Sequence, residues 1–346
     1  MQRVAEQSAP PRLHSQSEMV AFAVMAAVLV IAPFVAYPMF LMKALCFALF
    51  ACAFNLLIGY GGLLSFGHAL FFGWASYAAA HLSKVGAISL PYPALLPKLS
   101  WHWLVIPLSP LPPELAILGG TVFAAILGLI VGALAIRRQG IYFAMITLAL
   151  AQMMFFFAVQ APFTHGEDGI QAVPRGRLFG LVDLADSTNI NMYMTVLVIF
   201  LGCFLLIYRI INSPFGEVLK AIRENEPRAI SLGYKTDRYK LVAFVLSATF
   251  AGVAGATKAL VFQLASLTDV DWPMSGEVVL MTLVGGLGTL FGPVAGAFFV
   301  VSLENYLATR IGQWVLVVQG LIFVLCVLVL RRGIIGELAR LLRIKL

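Results

Sequence analysis

Residues 44–83 read ALCFALFACAFNLLIGYGGLLSFGHALFFGWASYAAAHLS. Across these 40 residues there is no Asp, Glu, Lys or Arg, and the titratable imidazoles are His68 and His81. A membrane-crossing helix needs about 20 mostly apolar residues. The stretch therefore has room for two, joined by a glycine-rich junction at Gly59–His68. A soluble chain could not hide so long an uncharged run, so this segment sets the solvent of the whole molecule.

The remaining residues agree. Of 346 residues, 61% are hydrophobic and 11% charged, against about 25% charged in a soluble domain. The mean hydropathy is +0.95. These values exclude a disordered chain, a disulfide-knit secreted module and an ordinary cytosolic enzyme. The net charge of +7 would suit nucleic acid, but the cations cluster in short stretches between uncharged runs, as in loops facing the cytoplasm and anionic lipid. The partner they imply is the lipid bilayer, with no nucleic acid. Cys46, Cys52, Cys203 and Cys326 all lie in apolar runs without metal-ligand spacing and read as small buried hydrophobes.

The expected fold is an all-α integral membrane protein, a polytopic helical bundle of about 8–10 transmembrane segments. The predicted spans are Met19–Met42, two within Ala44–Ser83, Leu115–Ile136, Gly140–Phe163, Asn191–Tyr208, Leu241–Gln263, Val278–Leu303 and Gly312–Leu330. Residues 1–18 read as an N-terminal tail, 19–330 as the membrane domain and 331–346 as a basic tail. Lys and Arg number seven in Arg209–Lys240 and five after Leu330, but two each in Ser83–Glu114 and Thr164–Ile190. The excess of positive charge marks the cytoplasmic side, which places segment 209–240 and both termini there. Loops 83–114 and 164–190 then lie outside. The first of these holds seven prolines and reads as a non-helical surface loop with Trp101 and Trp103 at the interface.

Parity then demands a broken element. Lys240 and Arg331 share a side, yet three apolar runs separate them. Val278–Leu303 contains GGLGTLFGPVAG at Gly285–Gly296. Broken backbone at membrane depth is tolerated only where protein or a water-filled cavity covers it. A re-entrant or hairpin element is predicted there, with Gly61, Gly62, Gly285, Gly286, Gly288 and Gly292 as the glycines of the two breaks.

No catalytic constellation is present: no phosphate loop, no paired carboxylates within a span, no metal-binding spacing. No enzyme activity, cofactor or metal is expected of this chain. The informative polar segment is SPFGEVLKAIRENEPRAISLGYKTDRYK, Ser213–Lys240. Helical spacing covers Glu217–Asn225, and Pro227 suits the start of a second short helix, Pro227–Leu232, ending at Gly233. Such short helices, held against a membrane, can dock into a groove on a partner or can form a solvated charged loop.

Ser213–Ala256 resembles the cytoplasmic coupling segment of bacterial branched-chain amino acid ABC importer permeases of the LivM type. The matching residues are Tyr239-Lys240-Leu241-Val242-Ala243-Phe244, Ser247-Ala248 and Ala251-Gly252-Val253-Ala254-Gly255-Ala256. The likeness extends to Asn55–Tyr77, Gly140–Ala149 and Leu280–Ala297, in the family's order. It implies an ATP-driven importer of the bacterial inner membrane. This chain would bind no nucleotide, and ATP would be used by partner subunits. The implied partners are a related LivH-type permease, two ABC ATPase subunits and an extracytoplasmic solute-binding protein.

By the same resemblance Glu224–Gly233 is the helix gripped by an ATPase, with Glu224, Glu226, Arg228, Ala229, Leu232 and Gly233 as coupling residues. Asn55, Ser65, His68, Tyr142 and Thr147 are candidates for the substrate path. His68 is read either as a helix-to-helix hydrogen bond or as a substrate contact. His165 stands where the family often carries glycine, so no substrate role is carried to it. The competing expectation is an ion-coupled secondary transporter, which requires charges buried in the bundle. Lys258 is the clear case in the sequence, and it reads as snorkelling from a span end.

Overall fold

A computed structural model describes residues 11–84, 87–93, 101–107, 111–311, parts of 317–324, and 333–342. Among the described residues the protein is predominantly α-helical, as expected. Among the described residues, five helical stretches are long and apolar enough to cross a membrane: Pro38–Tyr60, Pro113–Ala135, Ile141–Gln160, Ile190–Ile211 and Thr236–Phe262.

Among the described residues, the helices with defined bounds are, in chain order, α1 (Pro11–Ile31), α2 (Pro38–Asn55), α3 (His68–Lys84), α4 (Pro113–Ala135), α5 (Ile141–Gln160), α6 (Ile190–Ile211), α7 (Pro214–Glu224), α8 (Glu226–Ser231), α9 (Thr236–Phe262), α10 (Trp272–Gly285), α11 (Gly292–Ile311) and α12 (Gly333–Leu342). Helix α2 runs on through a wide π-turn at Leu56–Tyr60. The centre of the bundle is α2, with α3 and α9 against it; from Leu41 to Asn55 only Lys43 escapes full burial.

Small residues let these helices approach. A methyl group on Gly255 would collide with the carbonyl oxygen of Phe72, and one on Gly252 with the Cβ of Ala124. The run Ala251–Ala256 is therefore a packing surface, which seats α9 against both α3 and α4.

The first predicted span is redrawn. Met19–Met42 is not one helix: α1 ends at Ile31, a 3-10 turn covers Ala32–Phe34, and α2 begins at Pro38. Pro38 lacks an amide hydrogen and disfavours helical geometry in the residue before it, and Tyr37 is accordingly extended. Lys43 thus lies inside a helix rather than between two. At the amino terminus, α1 begins at Pro11, within the predicted tail. The end of the chain carries α12 within the predicted basic tail.

The predicted loop 83–114 contains an antiparallel hairpin of β1 (Ala87–Pro93) and β2 (Trp101–Pro107), with Leu90 opposite Leu104. The plain-loop expectation gives way because backbone pairing there satisfies the amides that the prolines leave. In segment 164–190 three two-residue strands occur: β3 (Ile170–Gln171), β4 (Arg177–Leu178) and β5 (Val182–Asp183). The first pairs with β6 (Leu264–Ala265) just beyond α9. Arg175 is buried there and donates to the carbonyls of Leu260 and Val261 and to Asn189 Oδ1, capping the last turn of α9.

The predicted break is present. Helix α10 stops at Gly285 after 14 residues, α11 starts at Gly292, and Gly286 and Gly288 have positive φ (123° and 75°). Fourteen residues rise about 21 Å, short of the roughly 30 Å hydrocarbon core. The two helices are packed so closely that a methyl group on Gly285 would strike the Gly292 carbonyl, and one on Gly296 the Met281 carbonyl. The span Gly312–Leu330 lies mainly outside the described residues.

Candidate functional site: a charged arm joined to two glycine breaks

The arm is built by local rules. Ser213 caps α7, its hydroxyl accepting from the Gly216 amide, with Pro214 in the first turn. Asn225 interrupts the helix with extended geometry and then caps α8, its side chain accepting from the Arg228 amide at 3.1 Å. The two short helices expected here are present, and of the coupling residues Glu224 ends α7, Glu226, Arg228 and Ala229 lie on α8, and Leu232 and Gly233 follow directly after it. Gly233 closes α8 at φ 89°, where its amide reaches Ile230 O and the Tyr234 amide reaches Ala229 O. This is a glycine-terminated helix end of the usual kind.

The coupling residues divide by what they touch. Ala229 is buried against its own chain. Glu226 forms an ion pair with Lys240 of α9, with side-chain exposures of 19% and 5%. These two hold the arm on the bundle. Facing outward are Arg228, Ile230 (54% exposed), Leu232 (70% exposed) and Tyr234 (41% exposed). Glu224 is exposed at the end of α7. Tyr239 stacks on Phe215 and meets Tyr234 edge-on, which locks α7 to the start of α9.

Two breaks meet beside this arm. Asn55, buried at the end of α2, donates to Thr289 O at 2.9 Å and accepts from the Gly288 amide at 3.0 Å. One side chain thus serves both free backbone groups of the opposite turn. Arg223 of α7 donates to Gly59 O. Methyl groups on Gly62 and Gly288 would lie 3.1 Å from Arg223 Cγ and 3.3 Å from its guanidinium nitrogen. Gly61 keeps helical geometry (φ −91°), and Gly62 turns the chain at φ 69°. A cavity of about 420 Å³ opens next to the junction, bounded by Tyr60, Tyr208, Asn212, Lys220, Arg223 and Thr289 among others. Gly333, at the start of α12, packs its backbone on Gly286.

The substrate-path candidates have these surroundings. Asn55 is consumed in the junction. The His68 ring, fully buried among Phe54, Phe71 and Phe244, shares a hydrogen bond of 2.7 Å with Ser247 Oγ. Ser247 in turn donates to Ala53 O. Of the two readings of His68, the structure has the helix-to-helix bond. Ser65 accepts from the Gly67 amide, and Thr147 donates to Ala144 O in its own helix. Tyr142 is 67% exposed on the outer side of α5, whereas Thr147 faces inward. Five residues at 100° each set the two about 140° apart, so they do not line one surface.

The sequence reading missed the charges at the other end of the bundle. Lys258 is not snorkelling: its ammonium is paired with Asp269, which is 1% exposed. Lys43 pairs with Glu304 of α11 at 2.8 Å. Oxygens Asp269 Oδ2 and Glu277 Oε1 and the Tyr77 hydroxyl are buried without a hydrogen-bond partner. Lys258 lies 18 residues beyond Lys240 on α9, about 27 Å along the helix. The charges and the glycine junction thus occupy opposite ends.

Known proteins supply the remaining context. Residues 36–327 match the family model described as branched-chain amino acid transport system / permease component. The chain is 28% identical over 273 residues to the high-affinity branched-chain amino acid transport permease LivM of Salmonella typhimurium, covering 72% of this chain and 59% of that protein. It is 26% identical to LivM of Escherichia coli over 71% of this chain and 58% of that one. A probable LivH permease of Methanocaldococcus jannaschii is 27% identical over 41% of this chain and 46% of its own length. The chain thus spans somewhat under three-fifths of the LivM proteins of the first two organisms. No solved structure matches. The match across most of its length, including both glycine breaks and the arm, makes this chain a member of the permease-component family of branched-chain amino acid transport systems.

Proposed function

We propose that the chain is the membrane-spanning permease subunit of an ATP-driven importer, taking branched-chain amino acids or a related small polar solute across a bacterial inner membrane. It forms half of the path with a related LivH-type permease, and one of the two ATPase subunits grips the outward side of the arm around α8. An extracytoplasmic solute-binding protein delivers the solute. The chain hydrolyses nothing itself. Both termini and the arm face the cytoplasm, as the lysine and arginine distribution requires.

The observation that carries this reading is the arm. Ile230 on the short capped helix α8 and Leu232 and Tyr234 just past its end are largely apolar yet exposed, and exposed apolar groups on a rigid element fit a partner's groove. The arm is in turn joined to two breaks in the bundle. Closure of an ATPase pair would then rock the helices between outward- and inward-open states.

A secondary transporter has one observation in its favour, the paired and partnerless charges around Lys258, Asp269 and Glu277. Family membership and the arm weigh against it. The test is purification of the full chain from its native membrane followed by uptake of labelled leucine into proteoliposomes. The importer reading expects ATPase subunits to accompany the chain and uptake to require ATP. Uptake driven by an ion gradient without ATP would establish the alternative.

A further inference from the structure

We propose that Arg223 is a positioning residue that carries movement of the α7–α8 arm into both glycine breaks at once. The role presupposes the importer reading and adds to it the route of coupling within this chain.

The partner-facing helix α8 cannot deliver motion to the breaks by itself. Its ionic tie, Glu226 to Lys240, leads into α9, a continuous helix of 27 residues that such a tie can move only as a body. Helix α7 is different. Leu219 and Ile222 bury its inner face, and Arg223 follows directly. The guanidinium donates to Gly59 O in the first break, while the stem lies on Gly62 and the head lies beside Gly288 in the second.

Asn55 already ties the second break to α2. A displacement of α7 therefore reaches two turns that are themselves cross-linked. Both turns are glycine-rich backbone at positive φ (Gly62, Gly286, Gly288), which can change conformation without the steric penalty other residues meet.

The neighbouring cavity of about 420 Å³ leaves space for the side chain and the arm to shift. The chemistry of arginine matters here. Its planar head can donate at one edge while lying against a glycine backbone, whereas a lysine ammonium is a compact point charge.

The experiment uses the full chain with the ATPase and permease subunits that accompany it, reconstituted with the binding protein, and labelled leucine as the probe. Two reporters are introduced separately: L232C on the exposed side of the arm, and L290C in the second break. Maleimide labelling is measured with and without ATP trapped by vanadate. With Arg223 present, both labelling rates change on trapping. R223Q is expected to keep the L232C response, lose the L290C response, and lower leucine uptake per ATP hydrolysed at least tenfold. R223K is expected to fall between, at two- to fivefold.

Uptake per ATP unchanged in R223Q, with the L290C response intact, would overturn the proposal. So would failure of both R223Q and R223K to assemble, which would make Arg223 a folding residue. A complex with native Arg223 that lacks ATPase subunits or ATP-dependent uptake would instead overturn the importer reading, so the two failures are distinguishable.

Discussion

The two ends of the bundle are held together by different chemistry. At the arm end, Asn55 and Arg223 reach across to backbone groups of glycine turns, beside an open cavity. At the far end, the pairings are side chain to side chain: Lys43 of α2 with Glu304 of α11, and Lys258 of α9 with Asp269 in the turn beyond it. A hydrogen bond to a backbone group contributes about 1 kcal/mol net, and its partners can be exchanged. Removing one member of a buried ion pair costs about 3–5 kcal/mol, because the other charge is stranded. The far end is therefore a clamp and the arm end a joint, and a helical bundle needs both to rock rather than to unravel.

The largest loss of stability is expected at the clamp. K258A should lower stability by about 3–5 kcal/mol, read as loss of thermal stability of the purified protein in detergent. Replacing both partners with apolar groups, K258M with D269L, should recover most of it, since no charge is then left alone. If K258A alone were silent, the clamp would be no more than a surface pair.

A smaller effect is expected where the clamp's helices are pressed together. G255V forces a branched side chain against the Phe72 carbonyl and should cost about 1–3 kcal/mol through overpacking. The same measurement reads it, and G202V, where no atom lies near, is the control.

The joint should give a change in stability no larger than this, with the effect concentrated locally. N55A leaves the Gly288 amide and Thr289 carbonyl without their partner, at about 1–3 kcal/mol. Hydrogen exchange should rise selectively at residues 286–291, while α9 keeps its protection. A uniform rise would mean that Asn55 supports the whole core rather than the turn.

Much of this was legible in the sequence, for reasons that can be named. The uncharged runs define the solvent, and the break at Gly285–Gly296 follows from glycine density together with charge parity. The arm was visible through the Ser213-Pro214 break, Pro227 in the first turn of the second helix, and its terminal Gly233. What stayed hidden depends on distant pairing. Lys43 looked like a boundary between spans because its partner, Glu304, is 261 residues away. Lys258 looked solvated because Asp269 lies in an irregular turn beyond α9. Asn55 read as a path residue, since nothing local announces Gly288 and Thr289 as its partners. Arg223 stands in the run AIRENE with nothing local to distinguish it, one place before Glu224. The position of Tyr142 is a matter of helix phase, which a long run of apolar residues on α5 does not reveal.

The difference between joint and clamp can be measured in one experiment: hydrogen–deuterium exchange on the assembled complex, with and without a non-hydrolysable ATP analogue. Peptides covering 56–67 and 286–291 should change protection on nucleotide binding, while those covering 253–262 and 267–275 should stay constant. Equal change at both ends, or change confined to the Lys258–Asp269 end, would contradict the account.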